Sequence, residues 1–172
     1  QEVFELKDNQ IPETTLQKPT IVYGDVIIGG HGENFSMMFD NKEGGISYLN
    51  YNGFEYITRT PKFSFWRAMT DNDTGASEPY NLAQWYAAGK FAKYKTVSWL
   101  EQEDALKITF TYQAACIPTF EFTVTYTAHF DGKLGVSVTY AGVRGMSAMP
   151  VLALDFKIKQ QLCNFQYYGL GP

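Results

Sequence analysis

Apolar and polar residues alternate with a period of two through most of the chain, which is typical of half-buried β-strands. The longest such stretches, residues 120–127 and 134–140, flank the turn-forming pair Asp131-Gly132. The pair Asn52-Gly53, which readily takes the positive φ angles of a two-residue turn, lies in the same way between two shorter stretches within residues 46–57. Both patterns predict antiparallel β-hairpins.

Further runs of β-branched and aromatic residues follow at regular spacing. They cover residues 20–23, 26–28, 34–39, 95–100, 106–112, 152–158 and 164–168. Short strands at this spacing predict an all-β fold, an antiparallel sandwich. Residues 1–19 differ, because they are mixed in polarity and contain Pro12 and Pro19. They predict a linker arm, so that the domain itself would span residues 20–172.

One segment breaks the alternation. Residues 67–80 are crowded with turn formers, and residues 81–89 follow with a pattern that predicts a helix of about two turns. Asn81 can cap the start of this helix, and Gly89 can end it in the left-handed conformation. A long loop that leads into a short helix inside an all-β chain is a common place for functional residues.

Composition narrows the class of protein. The chain has 172 residues, of which 45% are hydrophobic and 19% are charged, so it can bury a core and is not intrinsically disordered. A net charge of -4 gives no field that would attract phosphates, which argues against nucleic-acid binding. The apolar runs are far shorter than the roughly 20 residues of a membrane-spanning helix, so no membrane partner is expected.

Three acidic residues, Asp71, Asp73 and Glu78, lie together in the segment that breaks the alternation. A glycosidase needs two carboxyl groups on opposite sides of the scissile bond, about 5 to 10 Å apart, and neighbours on one loop do not meet that condition. A calcium loop is excluded as well, because its twelfth position would be Leu82 rather than a glutamate. We expect these side chains to bind nearby backbone N–H groups instead, with Arg67 as an ionic partner.

The remaining reactive residues indicate no chemistry of their own. His31 and His129 match no catalytic triad and no zinc-binding helix. Cys116 and Cys163 lack the spacing of a metal site or a disulfide scaffold, and both are expected to be small buried residues.

The segment around the acidic residues carries a specific resemblance. It reads Phe65-Trp66-Arg67-Ala68-Met69-Thr70-Asp71-Asn72-Asp73-Thr74-Gly75, with Gln84-Trp85 downstream, and it resembles the C-terminal domain of family 2 β-galactosidases of the lactose-operon type. In some bacteria that domain is similar to a separate small subunit. Asn34-Phe35-Ser36, Gly44-Gly45-Ile46 and the closing Tyr168-Gly169-Leu170-Gly171-Pro172 agree in order, and the resemblance spans about residues 22–172.

The resemblance implies a supersandwich similar to galactose mutarotase, of which this chain would form an incomplete part. It implies as well that the linker arm, residues 1–19, comes from a preceding sandwich domain. It also implies that no catalytic residue and no metal ligand lies here, because the family's catalytic glutamates and its magnesium and sodium ligands belong to a barrel domain. The implied partners are that barrel domain or a large subunit, a β-galactoside substrate, and further copies in an oligomeric enzyme. A cytoplasmic location in a bacterium is expected.

By the same resemblance, this domain lends a wall and a mobile loop to the galactose pocket. The loop corresponds to Gly75, Ala76, Ser77, Glu78, Pro79 and Tyr80, and the motif that anchors it corresponds to Trp66, Arg67, Asp71, Asn72, Asp73 and Trp85. Family members often show Pro-Arg-x-Gly where this chain has Pro150-Val151-Leu152-Ala153.

Two other functions compete with this interpretation. A stand-alone carbohydrate-binding module would stack Trp66, Trp85 and Tyr86 on sugar rings. An epimerase similar to mutarotase would need a general acid and a general base in one cleft, for which only His31 and His129 are available.

Overall fold

The computed structural model describes residues 18–76 and 78–164. Antiparallel strands dominate this part of the chain, so the all-β sandwich predicted from the alternation is confirmed. The linker arm predicted for residues 1–19 lies almost wholly outside the described residues, as do Ser77, the strand predicted at 164–168 and the closing motif.

The strands form three antiparallel sheets. The first contains, in spatial order, β1 (Thr20–Tyr23), β2 (Ile27–His31), β3 (Phe35–Asp40), β4 (Gly45–Tyr51) and β5 (Phe54–Glu55). A small sheet pairs β6 (Ile57–Ser64) with β11 (Ala153–Ile158). The third contains β7 (Lys93–Glu101), β8 (Ala105–Gln113), β9 (Glu121–His129) and β10 (Leu134–Tyr140), in the order β10-β9-β8-β7.

Both predicted hairpin turns are present. Asn52 and Gly53 have φ angles of 51° and 79°, which are the two positive values that a type I′ turn requires, and they join β4 to β5. Gly132 has a φ angle of 89° in the turn between β9 and β10, whose strands pair in register from Leu134 opposite Ala128 onward.

Aromatic side chains fill the space between the first and third sheets. The ring of Phe39 on β3 lies 5.4 Å from that of Tyr126 on β9, and Phe110 on β8 lies 5.9 Å from the same ring. Phe63 on β6 meets Phe122 edge-on at 4.6 Å, which ties the small sheet to the same core. The high aromatic content of the chain therefore serves mainly to pack the sandwich.

Three sequence predictions of local structure were wrong. Residues 54–57 are not one strand, because β5 ends at Glu55 and β6 begins at Ile57. Strand β6 runs past Pro61 to Ser64, and the missing N–H of this proline is tolerated because the pairing with β11 is irregular there. Residues 67–80 are not all loop, because a short helix, α1, covers Asp71–Gly75. Cys163 is exposed and Cys116 is only half-buried.

The predicted helix exists but has different ends. Helix α2 covers Glu78–Lys90, so Asn81 lies inside it, and the proline at its second position is tolerated because the first turn has no N–H partners to lose. Gly89 is helical rather than a left-handed stop. A Cβ there would lie 3.1 Å from the Phe63 carbonyl oxygen and from the Phe65 nitrogen, so glycine lets α2 approach β6 closely.

Candidate functional site

Helix α1 begins with a capping box formed by Thr70 and Asp73. The Thr70 hydroxyl oxygen accepts a hydrogen bond from the Asp73 backbone N–H at 3.3 Å, and Asp73 Oδ2 accepts one from the Thr70 N–H at 2.8 Å. The Thr70 hydroxyl also donates to Asp73 Oδ2 at 2.9 Å. This arrangement satisfies N–H groups that a helix start otherwise leaves without partners, which explains why so short a helix forms.

The Asp73 carboxylate also binds Arg67, as the sequence predicts. Arg67 Nη1 lies 2.7 Å from Asp73 Oδ2, Nη2 lies 3.4 Å from Oδ1, and Nη1 donates to the Ala68 carbonyl oxygen at 3.0 Å. The Arg67 guanidinium and the hydrogen bonds from Thr70 hold the pKa of the Asp73 carboxyl well below its usual range. Asp73 is thus an ionised structural group with both oxygens engaged.

Trp85 fixes helix α2 to the rest of the domain. Its side chain is only 1% exposed and packs against Phe65 and Phe120 at ring separations of 6.3 and 5.8 Å. Its indole Nε1 lies 3.2 Å from both the carbonyl oxygen and the hydroxyl of Ser147. Trp85 therefore joins α2 to the segment between β10 and β11.

An open groove lies between these two parts of the chain. It has a volume of about 670 Å³. One side is lined by Arg67, Asp73, Tyr80, Leu82 and Gln84, and the other by Ser147, Ala148, Met149 and Pro150. Tyr80 is 87% exposed at this groove. The second wall was missed by the sequence analysis, which noted Pro150 only as a departure from the family pattern.

Four of the six residues of the predicted mobile loop lie in the two helices rather than between them. Gly75 is the last residue of α1, and Ala76 caps it by donating its N–H to the carbonyl oxygens of Asn72 and Thr74. Glu78, Pro79 and Tyr80 begin α2, and Ser77 lies outside the described residues. The other residues of the predicted anchoring motif are placed as follows: Asp71 and Asn72 are exposed in the first turn of α1, and Trp66 is half-buried before it.

The aromatic platform required by a carbohydrate-binding module is not formed as predicted. Trp85 is buried in the core and cannot stack on a sugar, so that part of the hypothesis is wrong. Trp66 and Tyr86 meet edge-on at 5.6 Å with an angle of 81° between their planes, so they do not present one flat surface.

Two properties of the described residues concern metal ions and membranes. Histidine, cysteine and acidic side chains there do not gather in groups of three or more that could hold a metal ion. His129 Nδ1 lies 3.9 Å from Asp104 Oδ2, and His31 is exposed on β2. No helix within residues 18–76 and 78–164 is long and apolar enough to cross a membrane.

Comparison with known proteins gives consistent matches. A β-galactosidase of Clostridium acetobutylicum is 40% identical over 172 residues, which are 100% of this chain and 19% of the relative. A β-galactosidase of Lactobacillus delbrueckii subsp. bulgaricus is 36% identical over 155 residues, 90% of this chain and 15% of the relative. The β-galactosidase small subunit of Latilactobacillus sakei is 32% identical over 177 residues, 91% of this chain and 56% of the relative.

The chain thus spans less than a fifth of the first two relatives and just over half of the third. The family described as beta galactosidase small chain matches residues 31–172. Because this match covers most of the sequence, the chain belongs to the β-galactosidase small-chain family.

Proposed function

We propose that this chain is a non-catalytic part of a β-galactosidase, the enzyme class that hydrolyses terminal β-D-galactosides such as lactose. In this proposal it supplies one wall of the substrate pocket, a mobile loop and contacts with the catalytic chain. The observation that carries the proposal is the groove between helix α2 and residues 147–150, because it is bordered by the family motif.

The lining of the groove suits a ligand rich in hydroxyl groups. Arg67 keeps guanidinium N–H groups beyond those bound to Asp73, Gln84 offers an amide, and Tyr80 offers an exposed ring with a phenolic hydroxyl. Pockets for small ligands combine such a few polar groups with apolar walls, here Leu82 and Met149. The groove is open to solvent, which leaves room for a further wall from the catalytic chain.

The acidic residues of this chain do not supply the chemistry of hydrolysis. Asp73 is engaged by Arg67 and Thr70, and its carboxylate is not available to attack a sugar. Asp71 lies two residues away on the same short helix, whereas hydrolysis needs two carboxyl groups that face each other across the bond. The proposal therefore assigns the acid, the nucleophile and the magnesium and sodium ions to the catalytic chain.

The loop proposal rests on where its two ends are held. Asp73, Thr70 and Arg67 hold the α1 end, and buried Trp85 holds the α2 end. The segment from Gly75 to Tyr80 lies between these two anchors, so it can change conformation while the anchors stay in place. In this proposal Ser77 exchanges hydrogen bonds between an open and a closed form.

A chimeric enzyme tests the pocket. In it, this chain replaces the matching segment of the Clostridium acetobutylicum β-galactosidase, which aligns with all of it. We expect Tyr80→Ala to raise KM for lactose about tenfold, the usual effect of one lost ligand contact. Tyr86→Ala is the matched control, because Tyr86 lies on the same helix but does not line the groove. Equal KM values for the two variants would contradict the pocket wall.

Two further measurements separate the parts of the proposal. In the chimera, Ser77→Ala and Gly75→Ala should change KM and kcat together, because they shift the balance of open and closed forms. Wild-type kinetics for both variants would remove the loop from the proposal. The isolated chain should not cleave a nitrophenyl galactoside, and turnover that Asp71→Asn abolishes would refute its non-catalytic role. Galactose binding by the isolated chain would instead favour a stand-alone carbohydrate-binding module.

A further inference from the structure

The outer face of the first sheet is unusually apolar. Val22 on β1 is 62% exposed, Ile27 on β2 is 40% exposed and Met38 on β3 is 38% exposed. An antiparallel sheet that has one face in solvent normally carries polar side chains there. These exposed side chains therefore indicate a surface that something covers.

The strand register concentrates this apolar surface around one glycine. Val22 pairs with Gly29, and Gly29 pairs with Met38, so the three residues form a row across β1, β2 and β3 on one face. Gly29 has no side chain, and the row is consequently low in the middle and high at both ends. A groove of about 640 Å³ runs over this position.

The backbone does not require glycine at this position. Gly29 is not among the residues with a positive φ angle. A Cβ there would lie 3.4 Å from the Met37 carbonyl oxygen and 3.7 Å from Met38 Cγ, which is ordinary van der Waals contact. A methyl group would therefore fit, and residues with a side chain favour strands, so the glycine keeps the groove open.

The charges at the groove select among possible partners. Among the described residues, Asp25 and His31 are the ionisable ones that line it, and no lysine or arginine does. An anionic lipid surface or a nucleic acid would need a basic lining. An apolar side chain that projects from another protein surface fits the groove better.

The lengths of the relatives indicate which protein supplies the side chain that fits the groove. All of this chain aligns with only 19% of the Clostridium acetobutylicum β-galactosidase, so about four-fifths of such an enzyme lies outside it. Thr20 and Val22 of β1 line the groove. A covalent link to the rest of such an enzyme would keep that polypeptide and the groove at a high effective concentration.

We propose that the groove over Gly29, bordered by Val22 and Met38, seats an apolar side chain of the rest of the β-galactosidase polypeptide, the large catalytic chain. The inference rests on the proposed function in so far as that function requires the two parts to associate. It concerns a different surface from the groove beside α2, on a different element of the fold.

The test measures how fast a cysteine in the groove is labelled. Cys116 and Cys163 are first replaced by serine, and Val22→Cys is labelled with a maleimide in the isolated chain and in the chimeric enzyme described above. We expect labelling to be at least about tenfold slower in the chimera, because an interface excludes the reagent. Equal labelling rates in the isolated chain and in the chimera would overturn the proposal. If the chimera is active, this result would leave the proposed function unaffected.

A pair of glycine variants shows whether the groove itself is used. Adding Gly29→Val should return the labelling of Cys at position 22 toward the rate of the isolated chain, because the filled groove no longer admits the partner's side chain. Gly135→Val is the matched control: Gly135 is exposed on β10, and a Cβ there would lie at an ordinary 3.5 Å from Thr127 Cβ. Protection that survives Gly29→Val, or that both variants remove equally, would overturn the proposal.

A second copy of the chain is the competing occupant. In that case labelling of the isolated chain would slow as its concentration rises, and sedimentation would show a dimer that Gly29→Val dissociates. This outcome would overturn the assignment to the large chain.

Discussion

The substitution Trp85→Phe tests whether one buried indole holds the two walls of the groove together. Trp85 is 1% exposed, and its Nε1 lies 3.2 Å from both the carbonyl oxygen and the hydroxyl of Ser147. Phenylalanine keeps an aromatic ring against Phe65 and Phe120 but cannot donate this hydrogen bond. The variant therefore removes the link between α2 and residues 147–150 with a small loss of packing.

The expected cost follows from two contributions. Loss of a buried hydrogen bond costs about 1 kcal/mol. The smaller ring leaves a cavity in a core that relaxes only in part, which adds roughly 1 kcal/mol. We expect the free energy of unfolding to fall by about 2 kcal/mol, which for a domain of this size lowers the melting temperature by about 4 to 8 °C.

Urea unfolding followed by far-ultraviolet circular dichroism measures this change without relying on tryptophan emission. Trp99→Phe is the control, because Trp99 is 49% exposed and its replacement should stay within about 0.5 kcal/mol of wild type. In the chimeric enzyme, Trp85→Phe should also raise KM, since the wall that contains Ser147 is no longer fixed. A Trp85→Phe chain as stable as the Trp99→Phe chain would refute the anchoring argument.

Three other predictions follow from groups inside the fold. Burial raises the pKa of Tyr126 from 10.0 to about 12. The neutral Tyr126 side chain therefore contributes fully to the free energy of unfolding below pH 10, and this contribution is lost as the pH rises towards 12. The loss lowers the free energy of unfolding by about 3 kcal/mol. In alkaline denaturation, the stability of Tyr126→Phe should therefore fall less over this pH range than that of the wild type. Gly89→Ala should cost about 1 to 3 kcal/mol in urea unfolding, because its Cβ meets the backbone of β6, whereas Gly75→Ala, with nothing within 4 Å, should not. Asp73→Asn should speed hydrogen exchange of the α1 amides more than Asp71→Asn does, because only Asp73 belongs to the capping box.

Hairpins could be predicted from the sequence because their signals are local. Asn52-Gly53 and Asp131-Gly132 specify the turn, and alternation in the neighbouring residues specifies which face is buried. The start of α1 was missed although it has a local signal as well. Thr70 and Asp73 have the spacing of a capping box, but no apolar run follows them, so the segment resembled a loop.

The second wall of the groove could not be predicted in this way. Trp85 and Ser147 are 62 residues apart, and no periodicity connects them. Their contact arises because α2 packs on β6 while β6 pairs with β11, which brings the segment before β11 beside the helix. The family resemblance indicated the first wall through its motif, but it gave no reason to choose residues 147–150.

In the proposed function, the candidate site of this chain binds the substrate and another chain cleaves it. Asp73 is engaged by Arg67 and Thr70, as the sequence predicted, and its charge stabilises the start of a helix. Because hydrolysis of a glycoside needs two opposed carboxyl groups, the proposed function takes the acid and the nucleophile from another chain. In the proposed function, Tyr80 and Gln84 contact the galactoside, because a phenol and an amide can bind and orient a sugar. The proposal thereby lets the polar motif of this chain affect how tightly a galactoside is held, while cleavage is assigned to the catalytic chain.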